Sequence, residues 1–328
     1  MLPGSPPLPH ARRVTERIQR TADLRAAGYD KTAVRRMVRA GMLTRLCRGA
    51  YTDREPDDAP ARHRLLVRAA LGEMADGAVA SHVSAAVLHG LPTWGLRLDR
   101  AHITLARRSG GRRDDRLYVH TAPLDPDDVV VIDGVPVTSA APAVVDIART
   151  AAFEPAVAVT DAALRLGERR ATQRPGERPT PDRLLEPGVT GADLDAALRR
   201  ATGWPGVPDA RRVVAFADAR SESVGESRSR VAIALAELPP PQLQWPERLG
   251  GSPAYTDFAW PKQRTVGECD GKIKYGRLLR PGQSPGDVVY AEKLREDAIR
   301  AQGLEVVRWT WANLSDFADT AARVRFRA

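Results

Sequence analysis

Three carboxylates toward the C-terminal end of the chain, Asp257, Glu268 and Asp270, are spaced so that a simple fold could gather them. They lie in Tyr255–Tyr275, Y-T-D-F-A-W-P-K-Q-R-T-V-G-E-C-D-G-K-I-K-Y. Two alternating runs, Thr256–Trp260 and Thr265–Asp270, flank Pro261-Lys262-Gln263-Arg264, which predicts a β-hairpin. With Lys262 and Gln263 as the loop, Asp257 falls directly opposite Glu268, with Cβ atoms about 4.5–5.5 Å apart. Alternation along the strand then adds Asp270 to the face of Glu268. Carboxylates this close repel unless a cation neutralises them or a raised pKa keeps one protonated. An all-oxygen ligand set suits Mg2+ or Mn2+. Lys272 and Lys274 follow just beyond Gly271, where a bulge can re-aim a side chain.

Other elements must position these groups. Glu222 and Glu226 lie in R-S-E-S-V-G-E-S-R-S-R, a polar helix start running into the apolar Val231–Leu238. Leu243–Arg248 reads as a strand, Tyr290–Gln302 as a helix, and Leu304–Trp309 as an apolar strand carrying Arg308. This order of helix, three strands, helix and strand, with Asp257 and then Glu-x-Asp-Gly, resembles the PD-(D/E)XK nuclease superfamily. It is most similar to small domains of the very-short-patch repair type. The resemblance covers about the last third of the chain. It implies a restriction-endonuclease-like α/β domain with Asp257, Glu268 and Asp270 as metal ligands, and with Lys272 and the upstream Glu226 completing the catalytic set. Two departures stand out: Thr256 replaces the usual proline, and Asp270 occupies the position of the usual lysine.

The charge of the chain is uneven. Of a formal net charge of +9 over 328 residues, Ala11–Arg48 carries eleven Lys/Arg against three Asp/Glu, a net of +8. An arginine-rich composition spread evenly would not concentrate charge this way. Leu24 and Ala27 before Gly28 predict a short helix. Asp30 caps a second, Lys31–Ala40, with an apolar stripe of Val34, Met37 and Val38. Lys31, Arg35, Arg36 and Arg39 occupy its opposite face. Met42–Tyr51 reads as a small β-wing bearing Arg45 and Arg48. Helix, turn, basic helix and basic wing predict a winged helix-turn-helix whose six cations contact phosphates and base edges of DNA. A-V-R-R-M-V-R-A-G-M-L-T-R-L-C-R-G-A-Y resembles the N-terminal domain of type IV toxin–antitoxin antitoxins of the AbiEi type. The segment S-H-V-S-A-A-V-L-H-G resembles that family's second domain.

Between these ends, Ala61–Ala75 reads as a helix and Ser81 as the cap of a shorter one. His82 and His89 share a face of that helix and are expected to be buried and hydrogen-bonded. His102–Ala106, Arg116–Thr121, Asp127–Ile132 and Val135–Thr138 read as strands, with Asp133-Gly134 as a hairpin turn. Helices follow at Pro142–Thr150 and Pro155–Leu166. Arg107, Arg108, Arg112 and Arg113 sit in a glycine-bearing loop that serves equally as a phosphate contact or a solvated surface. Gly167–Pro187 is a break in the apolar pattern, and Asp193–Ala201 and Ala210–Ala219 form a helical lead-in. The expected architecture is α+β and multidomain: a winged helix over residues 1–55, a central antitoxin-like α+β domain over 56–166, a linker or insertion over 167–190, and a nuclease-like domain with its lead-in over 191–328.

The hydrophobic fraction, 43%, supports true cores. Cys47 and Cys269 match neither a disulfide framework nor a metal spacing. No signal peptide or membrane-length apolar run is evident, so a soluble cytoplasmic protein is expected. Two functions fit. One is a DNA-binding protein with a metal-dependent endonuclease rear, the front raising the local concentration of DNA for the rear. The other is a non-catalytic antitoxin and autorepressor with a degenerate nuclease fold, whose family resemblance implies a nucleotidyltransferase-like toxin as partner.

Overall fold

A computed structural model describes residues 18–74, 76–171, 188–249, 252–270 and 285–324. The chain divides into two interleaved units: Met1–Ala80 with Leu98–Asp125, and Ser81–Arg97 with Pro126–Ala328. This division differs from the expected boundaries. Nothing in the local pattern marks where the chain passes between units at Ala80, Arg97 and Asp125.

In the first unit, β1 (Ile18–Arg20) leads into α1 (Thr21–Ala26) and α2 (Lys31–Arg39). β2 (Thr44–Cys47) and β3 (Ala50–Thr52) form the expected antiparallel hairpin. β1 pairs with the far edge of β3, a strand too short to show a pattern in the sequence. Asp30 caps α2 by accepting the Ala33 N–H at 2.6 Å, as its type and position predict. Leu24, Val34 and Leu43 pack under this motif, with Met37, Val38 and Tyr51 at the margin. Leu46 and Ala50 of the hairpin pack on Leu65 and Ala69 of α3 (Ala59–Leu71). The remaining strands are β4 (Ala78–Ala80), β5 (Ala101–Leu105), β6 (Arg112–Arg113) and β7 (Leu117–Thr121). They run in the order β6-β7-β5-β4, with β5 and β7 parallel.

The second unit begins with α4 (His82–Leu88), all seven residues of which are buried. β8 (Val129–Ile132) and β9 (Val135–Thr138) form the expected hairpin, its turn residues Asp133 and Gly134 at φ 48° and 77°. This is the left-handed pair that an Asp-Gly turn favours. α5 (Ala140–Ala148), α6 (Phe153–Ala171), α7 (Gly191–Arg200) and α8 (Val207–Phe216) pack around a core including Val144, Val157, Leu194 and Val213. α6 runs to Ala171, through the start of the expected break; residues 172–187 lie outside those described. His82 and His89 are buried as expected, His89 bonding the Thr138 carbonyl at 2.8 Å and His82 facing Asp146 at 3.3 Å.

α9 (Val224–Leu235) precedes a sheet of β10 (Gln242–Leu249), β11 (Ser252–Trp260), β12 (Thr265–Asp270) and β13 (Glu305–Thr310), reached through α10 (Pro285–Ala301) and followed by α11 (Ala318–Val324). Strand order is β10-β11-β12-β13; the first three are antiparallel neighbours, and β13 joins β12 in parallel. Pro246 lies on β10, an edge strand, where proline is tolerated. One face packs Phe258, Trp260, Val307 and Trp309 with Ile233 of α9. The other packs Ala259 and Val266 on Ile299 of α10. The two tryptophans of the segments before α5 and after β13, Trp94 and Trp311, clasp the buried Arg228 of α9 at 4.2 and 4.4 Å from their ring centres. Among the described residues, no helix is long and apolar enough to cross a membrane.

Candidate functional site

In the first unit, Lys31, Arg35, Arg36 and Arg39 of α2 are all exposed, because Val34, Met37 and Val38 turn the other side of the helix into the core. Gly28, at φ 87°, makes the turn that sets α2 against α1. Arg45 and Arg48 are exposed on the hairpin, Arg45 donating to the Cys47 carbonyl at 3.3 Å. None of these six cations has a carboxylate partner among the described residues. Surface guanidinium groups left without internal acids are suited to phosphate.

In the second unit, the β11–β12 register is the one the alternation predicts. Phe258 faces Gly267, Ala259 faces Val266 and Trp260 faces Thr265; the paired ladder stops there, one step short of Asp257 and Glu268. The loop differs from the expected two residues. Trp260 and Thr265 are the last pair, and Pro261–Gln263 form a 3-10 turn closed by the Arg264 N–H donating to the Pro261 carbonyl at 3.1 Å. Arg264 adopts φ 52°, its guanidinium holding the Gly303 and Gln302 carbonyls at 3.1 and 2.6 Å.

Asp257 accepts the Cys269 N–H at 2.9 Å. Glu268 is buried, and Arg295 of α10 and Arg308 of β13 face it at 3.1 and 2.8 Å. Arg308 stands beside Glu268 in the parallel register and also reaches Asp270 at 3.4 Å and Glu296 at 3.1 Å. Burial pushes the Glu268 carboxyl up, Arg295 and Arg308 pull it back, and Asp257 and Asp270 add repulsion. Glu226, near the start of α9, accepts the Glu222 N–H at 2.8 Å, the Ser223 hydroxyl at 2.8 Å and the Gln244 amide at 3.1 Å. Even so, burial and then the charge of Asp257 push it up to about 7.

The structure thus brings Glu226 within electrostatic reach of Asp257, and Asp257 within reach of Glu268. It does not converge them as a cation cage. Among the described residues, no three of Glu226, Asp257, Glu268 and Asp270 have carboxylate oxygens within 4.8 Å of one another. Arginines neutralise Glu268 and Asp270 in place of the expected divalent ion, so the side chains as placed do not fit Mg2+ or Mn2+. Lys272 and Lys274, and the bulge expected at Gly271, lie outside the described residues. Arg295, Glu296 and Gln244 escaped the sequence reading. Gln244, at φ 51°, sits between the bridged pairs Leu243–Phe258 and Trp245–Thr256 and so faces Asp257. In the alternating Gln242-Leu243-Gln244-Trp245 nothing distinguishes it from Gln242.

Comparison with known proteins bears on the front of the chain. Residues 20–52 match the family described as "Transcriptional regulator, AbiEi antitoxin". Two curated relatives, the uncharacterized proteins MT2308 and Rv2248 from two strains of Mycobacterium tuberculosis, are each 36% identical over 80 residues, 24% of this chain. The chain spans 30% of the length of these relatives. Among solved structures, the crystal structure of the RV2827C protein from Mycobacterium tuberculosis is similar at 16% identity and a TM-score of 0.37, over 65% of this chain and 74% of that one. That likeness is too distant to bear on fold or function.

Proposed function

We propose that the chain is a DNA-binding transcriptional regulator of the AbiEi antitoxin type, engaging duplex DNA through a winged helix-turn-helix over residues 18–52. The observation that carries this reading is the set of exposed cations on α2 and the β2–β3 hairpin, none with an internal carboxylate. The match of residues 20–52 to a regulator family supports it. If Arg35, Arg36, Arg39 and Arg48 each neutralise a phosphate, log K for duplex binding by the full chain falls against log salt with a slope of about −3.6 or steeper, at about −0.9 per contact. Absence of binding, or affinity indifferent to salt, would refute the reading. A nucleotidyltransferase-like toxin is the partner that the antitoxin resemblance suggests.

A second reading concerns the rear of the second unit. Its order of helix, three antiparallel strands, helix and parallel strand favours a PD-(D/E)XK-type fold. With Glu268 and Asp270 held by Arg308, the form proposed is a degenerate one, serving in binding and not in metal-dependent cleavage.

A further inference from the structure

We propose that the phosphate-binding surface of the first unit does not end at the hairpin but continues across a cleft to Arg112 and Arg116, so that the two walls grip one nucleic-acid backbone. The inference rests on the reading of residues 18–52 as a DNA-binding front. The cleft has a volume of about 1070 Å3 and is lined on one side by the β2–β3 hairpin and the end of α3, on the other by β6 and the turn before β7. Arg45 and Arg48 stand on the first wall, Arg112 and Arg116 on the second, and all four are exposed. Cys47 and Asp114 line the same cleft from opposite walls.

The acids of the cleft decide what it can hold. Glu73 is paired to Arg20 at 2.6 Å, and Asp99 to Arg100 at 3.4 Å. Asp114 is exposed but engaged, accepting the N–H groups of Arg116 and Leu117 at 2.9 and 2.8 Å, whereas Asp115 is exposed with no partner among the described residues. Arg113, the neighbour of Arg112, is committed to the Tyr118 ring at 5.3 Å. By contrast, the Arg112 and Arg116 side chains have no hydrogen-bond or ion-pair partner among the described residues. Three uncommitted guanidinium groups, with Arg45 spending one N–H on the Cys47 carbonyl, therefore outweigh Asp115 and the hydrogen-bonded Asp114. Small-molecule sites are mostly apolar with a few polar groups; an open cleft with arginines on both walls is suited instead to a chain of phosphodiesters. The hairpin arginines belong to both the front surface and the cleft, which makes the track continuous.

The test is duplex binding by the full chain, followed by fluorescence anisotropy across a salt series. Counting Arg35, Arg36, Arg39, Arg48, Arg112 and Arg116, six contacts give a slope of about −5.4, and Arg112→Ala with Arg116→Ala brings it to about −3.6, with affinity about 60-fold weaker at 0.1 M salt. The double lysine variant restores most of the slope, since phosphate contact needs the charge. Asp115→Lys, at an exposed position whose change leaves the fold intact, steepens the slope by about 0.9. Wild-type binding whose slope is unchanged in both the double alanine variant and Asp115→Lys overturns this inference alone. Failure of the wild type to bind overturns the DNA-binding reading itself. Inorganic phosphate serves as the competing source: competition beyond its contribution to ionic strength would mark a free-phosphate site and overturn the backbone assignment.

Discussion

Glu226→Gln tests the electrostatics of the carboxylate site without any ligand. The Glu226 carboxyl is 8% exposed and pushed from 4.5 up to about 7. The folded state therefore holds a proton that the unfolded state has released throughout that window, and stability falls as pH rises from 4.5 to 7. Each tenfold change in proton affinity is worth about 1.36 kcal/mol, so the loss is about 3 kcal/mol. For a unit of this size it corresponds to roughly 6–12 °C in melting temperature. Glutamine keeps one acceptor for the donors from Glu222, Ser223 and Gln244, so a constant offset between the proteins is expected and carries no information. The diagnostic quantity is the drift of the wild-type melting temperature relative to the variant across pH 4.5 to 8, followed by circular dichroism. Asp257→Asn should shrink the drift without abolishing it, because burial is the larger cause and Asp257 the second. Asparagine retains an oxygen for the Cys269 N–H, so the hairpin is kept. Parallel curves for wild type and Glu226→Gln would show that Glu226 does not titrate in this window, and would remove its placement beside Asp257.

Arg308→Met leaves the buried Glu268 without its closest cation, and should cost about 3–5 kcal/mol in urea unfolding at pH 8. The loss should shrink as pH is lowered, because burial favours protonation of Glu268 and a neutral carboxyl needs no cation; a loss independent of pH would count against the pairing. Millimolar Mg2+ or Mn2+ should leave the melting temperature of the full chain unchanged, because arginines neutralise Glu268 and Asp270. A rise that disappears in Asp257→Asn would restore the metal-dependent reading.

What could be read from the sequence follows the range of the interactions involved. The β11–β12 register was legible because alternation over Thr256–Trp260 and Thr265–Asp270 is local and one register alone buries both apolar sets. The α2 face was legible for the same reason, with Asp30 and Gly41 marking its ends. The four-residue hairpin loop was not, since the left-handed Arg264 is held by carbonyls of Gln302 and Gly303, far along the chain. Arg308 was visible as a charge in an apolar strand, yet its partner depends on parallel pairing across α10, which no local pattern specifies. β1 and β4, at three residues each, are too short to carry periodicity. The passages between units depend on long-range packing throughout.

The interleaving of the units has a consequence for synthesis on the ribosome. The β2–β3 hairpin packs Leu46 and Ala50 against α3, so a fragment ending near residue 55 would expose the underside of its own hairpin. The segment Ser81–Arg97 emerges in the middle of the first unit but belongs to the second. Its helix α4 has no exposed residue in the finished fold, and its Ala86 packs with Val144 and Val145 of α5. At roughly 5–20 residues per second, the interval between the emergence of α4 and that of α5 is on the order of 3–12 s. During that interval the α5 side chains that pack on Ala86 have not yet been made. The nascent chain is therefore most open to chaperone capture, or to mispairing with a neighbouring copy, while the first unit is closing.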